Sequence, residues 1–196
     1  MTRVALAIFI GAWMSNAAAP PHGVVDLRGR LGFEDRLEAP LPVLAALDQS
    51  GVAAADLRVF VRLSVAWATL ERAAAGDWSA IDERLAAYAR RAIPVVVAIG
   101  PTGPRPPDAT DSWVPVLQSA ARHLRGRVAG YQIEAALPRP DPRAYAFQLK
   151  LASVQIRAID AQVAIAQTAA RSEDVAWLAA VYARSSDRTA VWAIAT

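Results

Sequence analysis

Short apolar stretches alternate with helical ones five or six times along this chain of 196 residues, with brief loops between them. Few folds accept that pattern. A run such as Pro94-Val95-Val96-Val97-Ala98-Ile99-Gly100 is apolar on both faces, which suits a parallel strand covered by helices. Val128 to Ile133 reads as another buried strand. It leads through Glu134-Ala135-Ala136-Leu137-Pro138 to a helix start at Asp141-Pro142-Arg143. Repeated strand–helix units argue for an α/β fold with a parallel sheet. A doubly wound sheet and a (β/α)8 barrel both fit.

The remaining elements follow from spacing. Val24 to Leu27 is a weak first strand, and Gly29 to Pro40 is polar and loop-like. Leu41 to Gln49 carries apolar residues at helical spacing, closed by Ser50-Gly51. Leu57 to Trp67 alternates as a strand. Thr69-Leu70-Glu71 and a turn at Ala75-Gly76 come next, before a helix to Arg91 with Ser79 as its N-cap. Gly100 to Pro107 is a Pro-rich loop. A helix starting at Asp111 or Ser112 runs to about Leu124. Asp141 to Asp160 forms a long helix with Tyr145, Leu149, Ala152, Ile156 and Ile159 on one stripe. Gln162 to Gln167 is a strand. Ser172 caps a helix whose apolar side is Val175, Leu178 and Val181, and Thr189 to Ala195 is a last strand. The aspartates at positions 77, 82, 111 and 141 read as helix-start residues. Trp78, Trp113 and Trp177 read as packing residues.

Composition excludes several functions. The chain is 55% hydrophobic and 20% charged, so it buries a core rather than remaining disordered. Its formal net charge is +3 and its Arg residues are scattered, which gives no nucleic-acid footprint. No dinucleotide fingerprint or phosphate loop is present. There is no Cys, and the two His, His22 and His123, are far apart, so neither a metal site nor a cofactor is expected. Residues 1–19 read as a secretory signal peptide: Arg3, an apolar run from Val4 to Met14, then small residues to Ala19. Residues 20–196 are then the mature domain, secreted or periplasmic, with no membrane association after signal removal.

From Leu57 onward the chain resembles the retaining glycoside hydrolases of the large (β/α)8-barrel clan. The resemblance lies in Val61-Arg62-Leu63-Ser64-Val65-Ala66-Trp67, Glu71, Gly76, Asp77-Trp78-Ser79 and Asp82. It continues through Ile93 to Gly100, Trp113, and Arg122-His123-Leu124-Arg125-Gly126-Arg127-Val128-Ala129-Gly130-Tyr131-Gln132-Ile133. Asp141-Pro142, Tyr145, Leu149-Lys150 and Ala158-Ile159-Asp160 complete it. No single motif decides it; order and spacing do. The resemblance implies an incomplete (β/α)8 barrel of about six strand–helix units, and a carbohydrate as the ligand.

It also implies a loss. In that family the fourth strand leads into Asn-Glu, and those positions fall here on Ala135 and Ala136. The family's nucleophile Glu follows the seventh strand, and this chain ends near the sixth. Retaining hydrolysis needs two carboxyl groups about 5–5.5 Å apart, and Ala supplies neither. Glu134 is the nearest stand-in, two residues early and about 6.5 Å back along the strand. Three substrate-binding candidates accompany it. Arg62 supports the nucleophile in the family; here it could equally pair with Glu134 as a structural tie. Trp67 could stack on a sugar or pack in the core. Tyr131 could face the barrel interior. An inactive glycan-binding scaffold, a hydrolase that uses Glu134 or is completed by further chain, and a non-enzymatic module whose open barrel edges self-associate therefore all stay open.

Overall fold

The structure, a computed structural model, describes residues 8–10, 31–37, 44–45, 49, 59–100, 110–135, 139–167 and 174–183. The strands read at Val24–Leu27 and Thr189–Ala195, and the cap read at Ser172, lie outside these. So does Ala136.

The described strands are β1 (Ile8–Ile10), β2 (Leu31–Arg36), β3 (Val59–Ala66), β4 (Val95–Gly100), β5 (Gly130–Ile133) and β6 (Ala164–Ala166). Five helices alternate with them: α1 (Trp67–Ala74), α2 (Ser79–Ala89), α3 (Thr110–Leu124), α4 (Pro142–Arg157) and α5 (Val175–Tyr182). Strands β2 to β6 are parallel and lie side by side in chain order. A doubly wound sheet would reverse its order at a switch point. Order without reversal is that of a barrel, so this is a partial (β/α) barrel of five to six units. β1 lies inside the stretch read as the signal peptide and pairs antiparallel with the outer edge of β2.

The two faces of the sheet have different jobs. Val61, Leu63, Val65, Val97, Ile99, Tyr131, Ile133 and Ile165 are fully buried and belong to one core cluster with the helices. That cluster takes Leu70 from α1, Ile81, Leu85 and Tyr88 from α2, Leu117 and Leu124 from α3, and Tyr145, Leu149 and Ile156 from α4. Each such side chain contributes roughly 1.5–3 kcal/mol of burial. The alternate residues face the barrel interior. There Phe60, Val96 and Ala129 form a second, smaller apolar cluster.

Several expectations need correction. Residues 29–40 are not all loop, because β2 lies within them. Its polar run Glu34-Asp35-Arg36 hid the strand, and each acid meets an arginine far along the chain, Glu34 with Arg62 and Asp35 with Arg84. Asp35 is 1% exposed; it accepts hydrogen bonds from Arg84 Nη1 at 2.6 Å and from Tyr88 Oη at 2.7 Å. Residues 67–74 are helical: the backbone stays extended at Ala66 (φ −61°, ψ 143°) and enters α1 at Trp67.

Ser79 is the first residue of α2, not its cap. Its hydroxyl donates to Asp77 at 2.6 Å, and this bond with the Ser79 backbone N–H holds the Asp77 carboxyl below its usual range. α2 ends where Ala92 adopts φ 52°, with Ile93 N donating to Tyr88 O and Ala92 N to Ala89 O. This is a Schellman turn without its usual Gly, which left no signal in the sequence.

Asp82 does not cap either. Partial burial pushes its carboxyl up, but hydrogen bonds from His123 and Arg127 outweigh that and hold it below its usual range. His123 also stacks on Trp78, with centroids 4.2 Å apart. Asp141 does cap α4, accepting from Arg143 N at 2.8 Å. Val175, expected on the apolar side of its helix, is 65% exposed.

Candidate functional site

The polar residues of the interior face gather around one guanidinium. Cross-strand register sets Glu34 of β2 directly beside Arg62 of β3, and Ser64 shares Arg62's face two residues on. Gln132 of β5 faces the same way one row further along, beside Ala98. Glu134, the first residue but one after Gln132, keeps that parity as the strand ends. Arg62 reaches them all. Its Nε donates to Gln132 Oε1 at 2.8 Å, its Nη1 to Ser64 Oγ at 2.6 Å, and its Nη2 to Glu134 Oε1 at 2.5 Å. Glu34 Oε1 stands 3.2 Å from Nη1. The Arg62 side chain is 12% exposed, with Glu134 at 19% and Glu34 at 29%. One partly buried cation therefore serves two carboxylates and two neutral acceptors, drawn from three strands.

Small residues make room for this arrangement. Gly100 ends β4 beside Glu134, whose N–H donates to Ile99 O at 2.8 Å. A Cβ built on Gly100 would lie 2.1 Å from Glu134 Cβ and 2.9 Å from its Cα. The second contact is with backbone, so no rotamer change relieves it. Gly100→Ala is expected to cost about 1–3 kcal/mol, the usual penalty of overpacking, and to displace Glu134 from Arg62. Urea unfolding of the variant checks the first. Loss of coupling between Arg62 and Glu134 in a double-mutant cycle checks the second.

The chain on either side of residues 136–138 is anchored. Tyr145 Oη donates to Ile133 O at 2.6 Å. Arg139 pairs with Asp174 through Nε at 3.2 Å and Nη2 at 2.6 Å, and lies over the Trp177 ring. Trp177 Nε1 donates to Pro140 O at 2.8 Å. These contacts fasten the segment after β5 to α4 and α5.

Of the four sequence candidates, Arg62 and Glu134 come together. Trp67, expected to end the strand, is instead the first residue of α1 just past β3, half-buried, with its ring stacked on Trp113 at 5.1 Å between centroids. Tyr131 goes elsewhere. Its odd position on β5 turns it to the helix side, fully buried, with its hydroxyl 3.5 Å from Ala120 O of α3. Burial pushes its phenol well above the ordinary tyrosine range. It does not reach the interior face on which Arg62 lies. Ala135, at the family's Asn position, is 6% exposed and belongs to the helix-side core. Glu34, Ser64 and Gln132 were missed. The period-two parity with Arg62 and Glu134 is the signal that marks Ser64 and Gln132.

Fold and site together define the class: a partial (β/α) barrel whose strand ends carry an arginine-centred polar cluster. No family model matches the chain and no curated protein is similar to it. Among solved structures, it is a distant match to one described as "Structural insights into a family 39 glycoside hydrolase from the gut symbiont Bacteroides cellulosilyticus WH2", with a TM-score of 0.45 and 18% sequence identity. The match covers 55% of this chain and 25% of that one, so the chain spans about a quarter of that protein's length.

Proposed function

We propose that this chain is a glycoside-hydrolase-like barrel protein, exported behind its N-terminal signal, that does not hydrolyse glycosides and retains at most a glycan-binding role. The observation that carries this reading is the contact between Arg62 and Glu134. Glu134, the carboxylate that follows β5, is engaged by a guanidinium that also holds Gln132, Ser64 and Glu34. An acid/base catalyst must exchange a proton with a glycosidic oxygen. An oxygen already accepting from Arg62 is poorly placed for that task. The sequence resemblance adds that Ala135 and Ala136 stand where the family carries Asn-Glu. Trp67 is the surface proposed for a sugar ring, on the face turned away from Trp113.

The alternative, an active hydrolase, is favoured by one observation: two carboxylates, Glu34 and Glu134, flank the same guanidinium. Retaining enzymes place two carboxyl groups close together. A panel of aryl glycosides separates the readings. The chain is expected to release no aryl alcohol above the buffer rate, and Glu134→Gln is expected to change nothing. Turnover that disappears in Glu134→Gln, or in Glu34→Gln, establishes the hydrolase instead.

A further inference from the structure

The outward face of α4 is built unlike an ordinary solvated helix face. Arg143, Phe147, Lys150, Val154 and Arg157 follow one another at spacings of four, three, four and three, which places them on a single stripe. All five are exposed, Phe147 at 59% and Val154 at 54%. Three cations thus alternate with two large apolar side chains. The whole of α4 contains no acidic residue. Among the described residues, none of the three cations is in an ion pair. The neighbouring α5 carries no charge at all, and its Val175 is 65% exposed.

We infer that this stripe is a docking surface for an anionic lipid bilayer. Successive cations are about 10 Å apart along the helix axis, so all three can meet headgroup phosphates on a flat surface. Phe147 and Val154, lying between them, can enter the boundary between headgroups and acyl chains, as the apolar side of an interfacial helix does. Other occupants fit less well. A second copy of the stripe would bring cation against cation. A nucleic acid would engage the cations but leave Phe147 and Val154 facing phosphate and water. The contact is peripheral, since no helix among the described residues is long and apolar enough to cross a membrane. It is independent of the proposed loss of glycosidase activity.

Co-sedimentation of the full chain with vesicles tests it. The chain should bind vesicles of mixed phosphatidylcholine and phosphatidylglycerol more tightly than phosphatidylcholine alone, and added salt should weaken the binding. Each cation near an anionic surface is worth about a fivefold change in affinity. The variant R143Q/K150Q/R157Q should therefore bind about a hundredfold more weakly, and Phe147→Ser should weaken binding without removing its salt dependence. All four positions are exposed, so unchanged circular dichroism and melting would confirm that folding is intact. The N-terminal apolar run is identical in every variant and cancels from the comparison. Variants that bind as well as the original chain overturn the inference, as does equal binding to phosphatidylcholine alone. Capture by polyglutamate without capture by the mixed vesicles also overturns it, and points to an acidic protein partner.

Discussion

Replacing Arg84 with alanine is expected to destabilise the chain by about 4 kcal/mol, the largest effect of any single charge change considered. The reason is Asp35. Its side chain is completely buried, and the Arg84 side chain is only 11% exposed. Arg84 Nη1 meets Asp35 Oδ2 at 2.6 Å, and Nη2 donates to Leu37 O at 3.1 Å. Tyr88 shares the same carboxylate oxygen, while Oδ1 has no hydrogen-bond partner among the described residues. Removing the guanidinium leaves a buried carboxylate with one neutral donor. That is a mechanism by which a single substitution costs several kcal/mol. For a chain of this length the melting temperature should fall by about 10 °C. Replacing Asp35 and Arg84 together with leucine and methionine should recover most of the loss, since a buried pair is often no better than apolar residues of similar volume. If Arg84→Ala melts with the original chain, β2 is not held to α2 by this pair.

Replacing Arg62 with alanine is the second large effect, at about 3 kcal/mol. Glu34 and Glu134 would then face the barrel interior without their common cation, and Gln132, itself 4% exposed, would lose its donor. The cost is smaller than at Arg84 because these carboxylates are partly hydrated, at 29% and 19% exposure against none for Asp35. Arg62→Lys should recover only part of it. A lysine ammonium cannot reproduce the fork that reaches Gln132, Ser64 and Glu134 at once. Urea melts of the two variants measure both numbers, with an unchanged slope showing that the unfolded state has not altered.

Much of this fold was legible in the sequence because its central strands and helices carry strong periodicities. β3, β4, β5 and α2, α3 and α4 fall within a few residues of where spacing placed them. What spacing could not supply was the choice between two parallel-sheet folds. That depends on the order in which strands pair, which no local pattern records. β2 was invisible for a different reason. Glu34, Asp35 and Arg36 read as surface loop until Arg62, Arg84 and Tyr88 are brought to them across long stretches of chain. Tyr131 illustrates a third limit. All four residues of β5 are buried, so apolarity does not distinguish its two faces, and only pairing with β4 shows that Tyr131 belongs with the helices. Arg62 and Glu134 were legible as a pair only through the resemblance and their opposite charges, because parity within each strand says nothing across strands until the register through β4 is known. Glu34, their third partner, was hidden with the strand that carries it.

The central claim is that Arg62 holds Glu134 as a structural tie at the mouth of the sheet. A double-mutant cycle tests it most directly: urea unfolding of the original chain, Arg62→Gln, Glu134→Gln and the double variant, with aryl glycosides assayed on the same four samples. A favourable coupling of about 1.5–3 kcal/mol, with no turnover in any sample, is the predicted result. Coupling near zero, together with glycoside cleavage that vanishes on Glu134→Gln, would contradict it.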